Sequence, residues 1–217
     1  AALAVGGATP GGTSAKTESW DGTNWTEVND LNTARDNFTQ SAGTQTANLI
    51  AGGYGSPPST YQTLTETWDG TNWTEVNDMN TARGLMAVIG TQTAAIVASG
   101  LGGPTLTSAA ESWDGTNWTE IAEMNSPRDR QFGNGVQNSG FIAGDREPTN
   151  SVKTEFWNGS SWTEVGDMST ARYNVSSLPA SGGATTGIAA GGEAATVLTN
   201  TEEWTAADFE IKTMTTS

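Results

Sequence analysis

Cysteine and histidine are both missing from the 217 residues, and lysine occurs only at Lys16, Lys153 and Lys212. Without cysteine there is no disulfide, no thiol nucleophile and no cysteine-held structural zinc. Without histidine the commonest general base and the commonest transition-metal ligand go together, which excludes most familiar hydrolytic and redox sites. Cations are scarce: Lys and Arg total 9 against 24 Asp and Glu, for a net charge of −15. No basic patch can neutralise phosphates, so no nucleic-acid partner is expected. No apolar run approaches the roughly 18 to 20 residues of a membrane span, so membrane insertion is not expected either and a soluble chain is. The opening Ala-Ala-Leu-Ala-Val-Gly-Gly has no basic start and is too short for a signal peptide. It does not begin with Met and reads as a strand already under way, so a piece of a longer polypeptide is expected.

What is present points to strands and tight turns. Gly occurs 27 times, only 15% of residues are charged, and Thr, Asn and Ala are abundant. Nine Trp stand against three Tyr and five Phe, so the core is built from a few bulky anchors among small neighbours.

Those Trp mark a repeat. The segments T-E-S-W-D-G-T-N-W-T-E-V at 17–28, T-E-T-W-D-G-T-N-W-T-E-V at 65–76, A-E-S-W-D-G-T-N-W-T-E-I at 110–121 and T-E-F-W-N-G-S-S-W-T-E-V at 154–165 are near copies. A weaker fifth at 201–211 puts Phe209 where the second Trp should be. The leading residues Trp20, Trp68, Trp113, Trp157 and Trp204 lie 48, 45, 44 and 47 apart. A period in the forties means propeller blades or a solenoid. Each period reads as four short extended segments. In the second these are A at about 38–42, B at 47–51 ending at Gly52-Gly53, C at about 63–68, and D starting at Trp73. The first period has only B (about 1–5), C (about 15–20) and D (about 25–31), so its innermost strand is missing.

The residues flanking each C–D turn face one another across a hairpin. This predicts Trp–Trp pairs at Trp20/Trp25, Trp68/Trp73, Trp113/Trp118 and Trp157/Trp162, each worth roughly 0.5–1.5 kcal/mol beyond burial. A second constant is the spacing of 17 from Glu18 to Arg35, Glu66 to Arg83, Glu111 to Arg128 and Glu155 to Arg172. It predicts a repeated ion pair or shared network joining segment C to the D–A connection, because a semi-buried carboxylate and guanidinium each need a partner. Copied in every repeat, these groups read as scaffold.

Gly52-Gly53, Glu66, Trp68, Trp73, Met79 and Arg83, recurring as Gly191-Gly192, Glu202 or Glu203, and Trp204, resemble the kelch pattern. The chain departs from it in having Trp where kelch repeats usually have Tyr, in a shorter C–D loop, and in Gly100-Leu101 and Gly144-Asp145 where Gly-Gly is expected. The resemblance implies an all-β, five-bladed propeller of four-stranded antiparallel blades, one domain over 1–217. Its blades would be about 1–35, 36–83, 84–128, 129–172 and 173–217, the first lacking its innermost strand. In kelch propellers the C-terminus often supplies that strand, which would follow Met214-Thr-Thr-Ser217 here. A flanking segment or a protein partner is therefore expected to complete the first blade, since an open edge invites pairing. Kelch propellers include scaffolds, ligand-recognition modules and a few oxidases, so the resemblance speaks to fold before function. The Trp-Asp-Gly-Thr-Asn-Trp unit is also similar to repeats of phage virion and secreted bacterial proteins, which points to an extracellular or virion-surface location.

Other motifs fall away. The Asp-Gly-Thr-Asn turns at 21–24, 69–72 and 114–117 lack the further carboxylates of a calcium loop. Ser19 to Trp25 is one residue short of a sialidase Asp-box, three of the six Asn-x-Ser/Thr sequons come merely from the repeated N-W-T, and no phosphate-binding G-x-x-x-x-G-K occurs. No catalytic residue, metal or cofactor is expected. A ligand face belongs where repeats differ, in the B–C and D–A loops, which kelch propellers often use together. The candidates are Asp36, Asn37, Tyr54, Tyr61, Asp129, Arg130, Arg146, Glu147 and Tyr173, whose types suit sugars or protein surfaces. A non-enzymatic structural, adhesion or protein-interaction module is expected, as in a virion fibre or decoration protein. The alternative is a carbohydrate-binding module recognising surface glycans.

Overall fold

The structure, a computed structural model, describes residues 2–36, 40–55, 60–146, 151–178, 186–205 and 210–214. Every regular element among them is a strand. No helix among them is long and apolar enough to cross a membrane.

Five antiparallel sheets follow one another along the chain. Sheet one has three strands, Ala2–Val5, Thr17–Trp20 and Trp25–Val28. Sheet two runs Ala42–Thr44, Ala47–Ala51, Thr65–Trp68 and Trp73–Val76 from its inner to its outer strand. Sheet three is Ala87–Thr91, Ala94–Ala98, Ala110–Trp113 and Trp118–Ile121. Sheet four is Phe132–Val136, Ser139–Ala143, Thr154–Trp157 and Trp162–Val165. Sheet five is Ser176–Leu178, Thr186–Ala190, Thr201–Thr205 and Glu210–Met214. The inner strand of sheet two packs beside that of sheet three, three beside four, and four beside five. This succession is consistent with a propeller-like fold.

Most expected segments fall where the repeat put them, with shifted ends. The inner strand of sheet two begins at Ala42, later than the expected 38, and residues 37–39 lie outside the described ones, as does Phe209. Sheet one's outer strand ends at Val28, not at 31. There the chain folds back, Leu31 donating its amide to Ala15 O at 2.9 Å, as Met79 does to Thr63 O at 3.0 Å. The inner turns need glycine: at Gly43 (φ 122°) and Gly90 (φ 111°) a Cβ would lie 2.1 and 2.2 Å from the carbonyl oxygens of Ala47 and Ala94.

The Trp pairs form as expected, with ring centroids 5.5, 5.4, 5.2 and 5.1 Å apart in sheets one to four. Their two members have different work. The first indole stays in its own sheet, Trp68, Trp113 and Trp157 donating to the carbonyls of Gln45, Gln92 and Gln137 in the inner turn. The second reaches back to the preceding sheet: Trp73 donates to Thr17 Oγ1, Trp118 to Thr65 Oγ1 and Trp162 to Ala122 O, each at 3.0 Å. Between sheets the core combines small and aliphatic side chains with the Trp pair of the later sheet, for example Leu49, Ala51, Met79, Met86, Val88 and Val97 with Trp113 and Trp118 between two and three.

The Glu–Arg network exists, but its pairing differs from the spacing of 17. Arg35 pairs with Glu66 (2.9 Å), Arg83 with Glu111 (2.7 Å), Arg128 with Glu155, and Arg172 with Glu202 (2.6 Å), all fully or almost fully buried. Each pair joins one sheet to the next. The arm after an outer strand lies across the following sheet, so its Asn assists: Asn32, Asn80 and Asn125 donate backbone and side-chain N–H to the second oxygen of Glu66, Glu111 and Glu155. Glu18 is therefore not the partner of Arg35; it is exposed. Trp25, expected as a core anchor, is 50% exposed.

Candidate functional site at the loop end of the sheets

Every expected ligand residue that the structure describes lies at one end of the sheets, and one rule places them. The residue after each buried Arg meets the residue three beyond the end of the second strand's apolar run. Asp36 pairs with Tyr54 in a short ladder, Gly84 bridges Leu101, and Tyr173 bridges Glu193. Asp129 accepts the Arg146 amide at 3.3 Å in the fourth instance. Glycines ending the second strands let the chain turn outward there; at Gly52 (φ 64°) a Cβ would sit 2.3 Å from Arg83 O.

Tyr54 also pairs with Tyr61 on a third short strand, their rings edge to face with centroids 5.3 Å apart. Burial pushes the Tyr61 phenol up; the negative charge of Asp129 adds to this and the Arg130 guanidinium opposes it. The charges of Asp129 and Arg130 of sheet four thus act on a tyrosine of sheet two. Burial likewise raises the Asp36 carboxyl. Asp129 is fully buried, with Arg130 Nε at 3.7 Å and Arg146 Nη2 at 3.6 Å from Oδ2. Its amide donates to Asp145 Oδ1 at 3.1 Å, which fixes the loop. Tyr173 is raised by desolvation and by a hydrogen bond with Glu193, with Arg146 and Arg130 pulling the other way.

The residue two beyond the buried Arg turns left-handed: Leu85 (φ 56°), Arg130 (φ 55°) and Asn174 (φ 51°). They link in a chain around the end of the sheets, the Arg130 amide donating to Leu85 O at 2.8 Å and the Asn174 amide to Arg130 O at 3.1 Å. Positive φ in three non-glycine residues is strain held by their surroundings, and such strain gathers at binding sites. Below this ring, Gln40 of sheet two reaches sheet four, its Nε2 donating to Gly133 O at 2.9 Å and its Oε1 accepting from Gly133 N at 2.8 Å.

Seven expected residues, Asp36, Tyr54, Tyr61, Asp129, Arg130, Arg146 and Tyr173, therefore occupy this end. Asn37 and Glu147 lie outside the described residues. Missed were Leu85, Asn174 and Glu193. Glu193 follows Gly191-Gly192 as Tyr54 follows Gly52-Gly53, so the offset was there to read. The end presents three phenols, two guanidiniums and carboxylates, groups that hydrogen-bond in plane and stack on flat or apolar faces. No group of three or more Asp or Glu among the described residues is placed to hold a metal ion.

With geometry and topology in hand, the fold is that of an all-β protein of successive four-stranded antiparallel sheets. Among solved structures it is similar to one described as the structure of YjhT, with a TM-score of 0.81 at 15% identity over 98% of this chain and 80% of that one. That likeness bears on fold. No family model matches the chain, and no curated protein matches it.

Proposed function

We propose that the chain supplies five blades of a kelch-like β-propeller, the first lacking an innermost strand, and works as a non-enzymatic interaction or adhesion module outside the cell or on a virion. Its binding face is the loop end. One observation carries this reading: Asp36, Tyr54, Tyr61, Asp129 and Arg130 come from two non-adjacent repeats yet share the loop end, while nearly all the copied Trp, Glu and Arg lie in the joints. Chemistry that differs between repeats has been gathered in one place, which is what recognition of an asymmetric partner requires.

A carbohydrate ligand is the second reading, favoured by the half-buried edge-to-face Tyr54–Tyr61 pair at the same end as Arg130, since sugars offer C–H faces to stack and hydroxyls to bond. The test is adhesion of labelled protein to a panel of bacterial cells, run beside a glycan array. Saturable binding lost in Tyr61→Ala and in Arg130→Ala is expected. Loss of binding on enzymatic deglycosylation of the cells selects the carbohydrate reading, and binding equal in wild type and both variants refutes the loop-end site.

A further inference from the structure

We propose that the open face of sheet one seats a further sheet of this same repeat, supplied from outside the 217 residues and fastened by an arginine-bearing arm on Glu18. The inference rests on reading the sheets as successive blades and concerns a different surface from the loop end.

The first three joints between sheets share one plan, and the first two add an asparagine that holds the C–D turn. The second Trp of the later sheet is buried against the earlier one: Trp73, Trp118 and Trp162 are 6, 7 and 6% exposed. The Glu of the later sheet takes the arginine of the earlier arm and the N–H groups of the arm's Asn. An asparagine near the end of the earlier outer strand holds the later C–D turn, Asn29 donating to Thr71 O (3.0 Å) and Asn72 Oδ1 (2.9 Å), and Asn77 to Thr116 O (2.9 Å) and Asn117 Oδ1 (3.1 Å).

Sheet one has the receiving half of this joint, and none of the described residues covers it as the other sheets are covered. Trp25 is 50% exposed and Glu18 is exposed, where Trp73, Trp118, Trp162 and Glu66, Glu111, Glu155 in the same places are buried. Its Ala2–Val5 strand pairs on one side only, with Thr17–Trp20, whereas the corresponding strand of every other sheet is paired on both. The half is also acidic: Glu27 takes Lys16 at 2.6 Å, and the charges of Asp30 and Glu18 also act on Lys16. A cationic arm is what this charge selects.

The occupant is not a second copy. Of the six Arg, Arg35, Arg83, Arg128 and Arg172 are each buried on Glu66, Glu111, Glu155 and Glu202, and Arg130 and Arg146 lie against Asp129 at the loop end. Each copy therefore has its arginines committed, and Glu18 takes its guanidinium from a repeat beyond these residues.

The test extends the chain by a second copy of residues 84–138 joined directly ahead of Ala1. This brings a sheet, the arm ending in Arg128, and the inner strand and turn that precede Ser139, the position matching Ala1. Acrylamide quenching of Trp25, read as the difference from Trp25→Phe, is expected to fall in proportion to exposure, from 50% toward the 7% of Trp118. Glu18→Gln, or Arg128→Ala in the added copy alone, should restore it, while Tyr61→Ala should not. The eight-residue peptide Val-Asn-Asp-Leu-Asn-Thr-Ala-Arg, the chain's own 28–35 arm, is the second probe, expected to protect Trp25 saturably where its Arg→Ala version does not. Protection by neither extension nor peptide overturns the proposal. So does a dimer of the 217-residue chain that sediments intact and is dissolved by Trp25→Ala, which would make a second copy the occupant.

Discussion

Glu111→Ala should cost far more than Glu18→Ala, although the two residues hold the same place in the repeat. Glu111 is 1% exposed; one oxygen accepts from Arg83 Nη2 at 2.7 Å and the other from Asn80 N at 2.7 Å and Nδ2 at 3.0 Å. Removing it strands a guanidinium that is 0% exposed and whose Nε and Nη1 have no acceptor among the described residues. Breaking a buried pair from one side costs about 3–5 kcal/mol, because the charge left behind is neither solvated nor neutralised. At about 2–4 °C per kcal/mol for a chain of this size, that is a fall of roughly 6–20 °C in Tm. Glu18 is exposed, so its loss should stay within about 0.5 kcal/mol. Replacing both partners, Glu111→Leu with Arg83→Met, should recover most of the loss, since the penalty lies in the orphan charge. Urea unfolding measures the differences. Stacked repeats can open piecewise, so hydrogen exchange across 79–83 and 110–121 should show the loss concentrated at that joint. Equal midpoints for Glu111→Ala and Glu18→Ala would refute the reasoning.

Trp73→Ala should cost about 3–5 kcal/mol by urea unfolding, since it empties a filled joint, whereas Trp25→Ala should lose only the pair with Trp20, about 0.5–1.5 kcal/mol. The carboxyls of Asp21, Asp69 and Asp114 are held below their ordinary range, first by the amides of Asn24, Asn72 and Asn117 and next by those of Thr23, Thr71 and Thr116. A depressed folded pKa gives stability that is present above the unfolded value of about 3.9 and lost as pH falls through the folded one. Asp69→Asn should therefore leave the fold intact at neutral pH, because Asn158 makes the same turn in sheet four, and should lose less stability than wild type between about pH 5 and pH 2 in acid titrations. Gly187→Ala puts a methyl 2.4 Å from Phe141 Cζ, a ring stacked on Trp204 at 4.4 Å; a cost of about 1–3 kcal/mol and an altered near-ultraviolet spectrum should follow.

How far the sequence could be read depended on the range of each contact. Trp68 and Trp73 flank a four-residue turn, so local geometry settles their meeting. A constant spacing of 17 between Glu66 and Arg83 says only that both recur in register with the repeat. Two residues at a fixed offset in every copy can meet within one copy or across adjacent ones, and the sequence is silent between these. The actual partners, Arg83 and Glu111, are 28 apart and span the loop whose length varies. That varying length hid the pairing. At the loop end, the residue after each buried Arg was legible at Asp36, Asp129 and Tyr173 because those side chains are polar or aromatic. Leu85 escaped because a left-handed backbone, not its side chain, gives it a place in the ring.

The same distinction separates the two surfaces. A joint made from copied residues can be recognised only by another sheet bearing the matching half, so its specificity is for the repeat itself. The loop end is built from the one or two positions per repeat that the joints leave free, and there Asp/Tyr, Gly/Leu, Asp/Arg and Tyr/Glu stand where a regular array would have four equal pairs. Because buried Arg35, Arg83, Arg128 and Arg172 anchor the chain one residue before each of these positions, side chains there can change without disturbing a joint. On the proposed reading the scaffold fixes where recognition occurs and leaves open what is recognised, so that the residues at the loop end, and not the far more numerous repeated ones, would carry the information about a ligand.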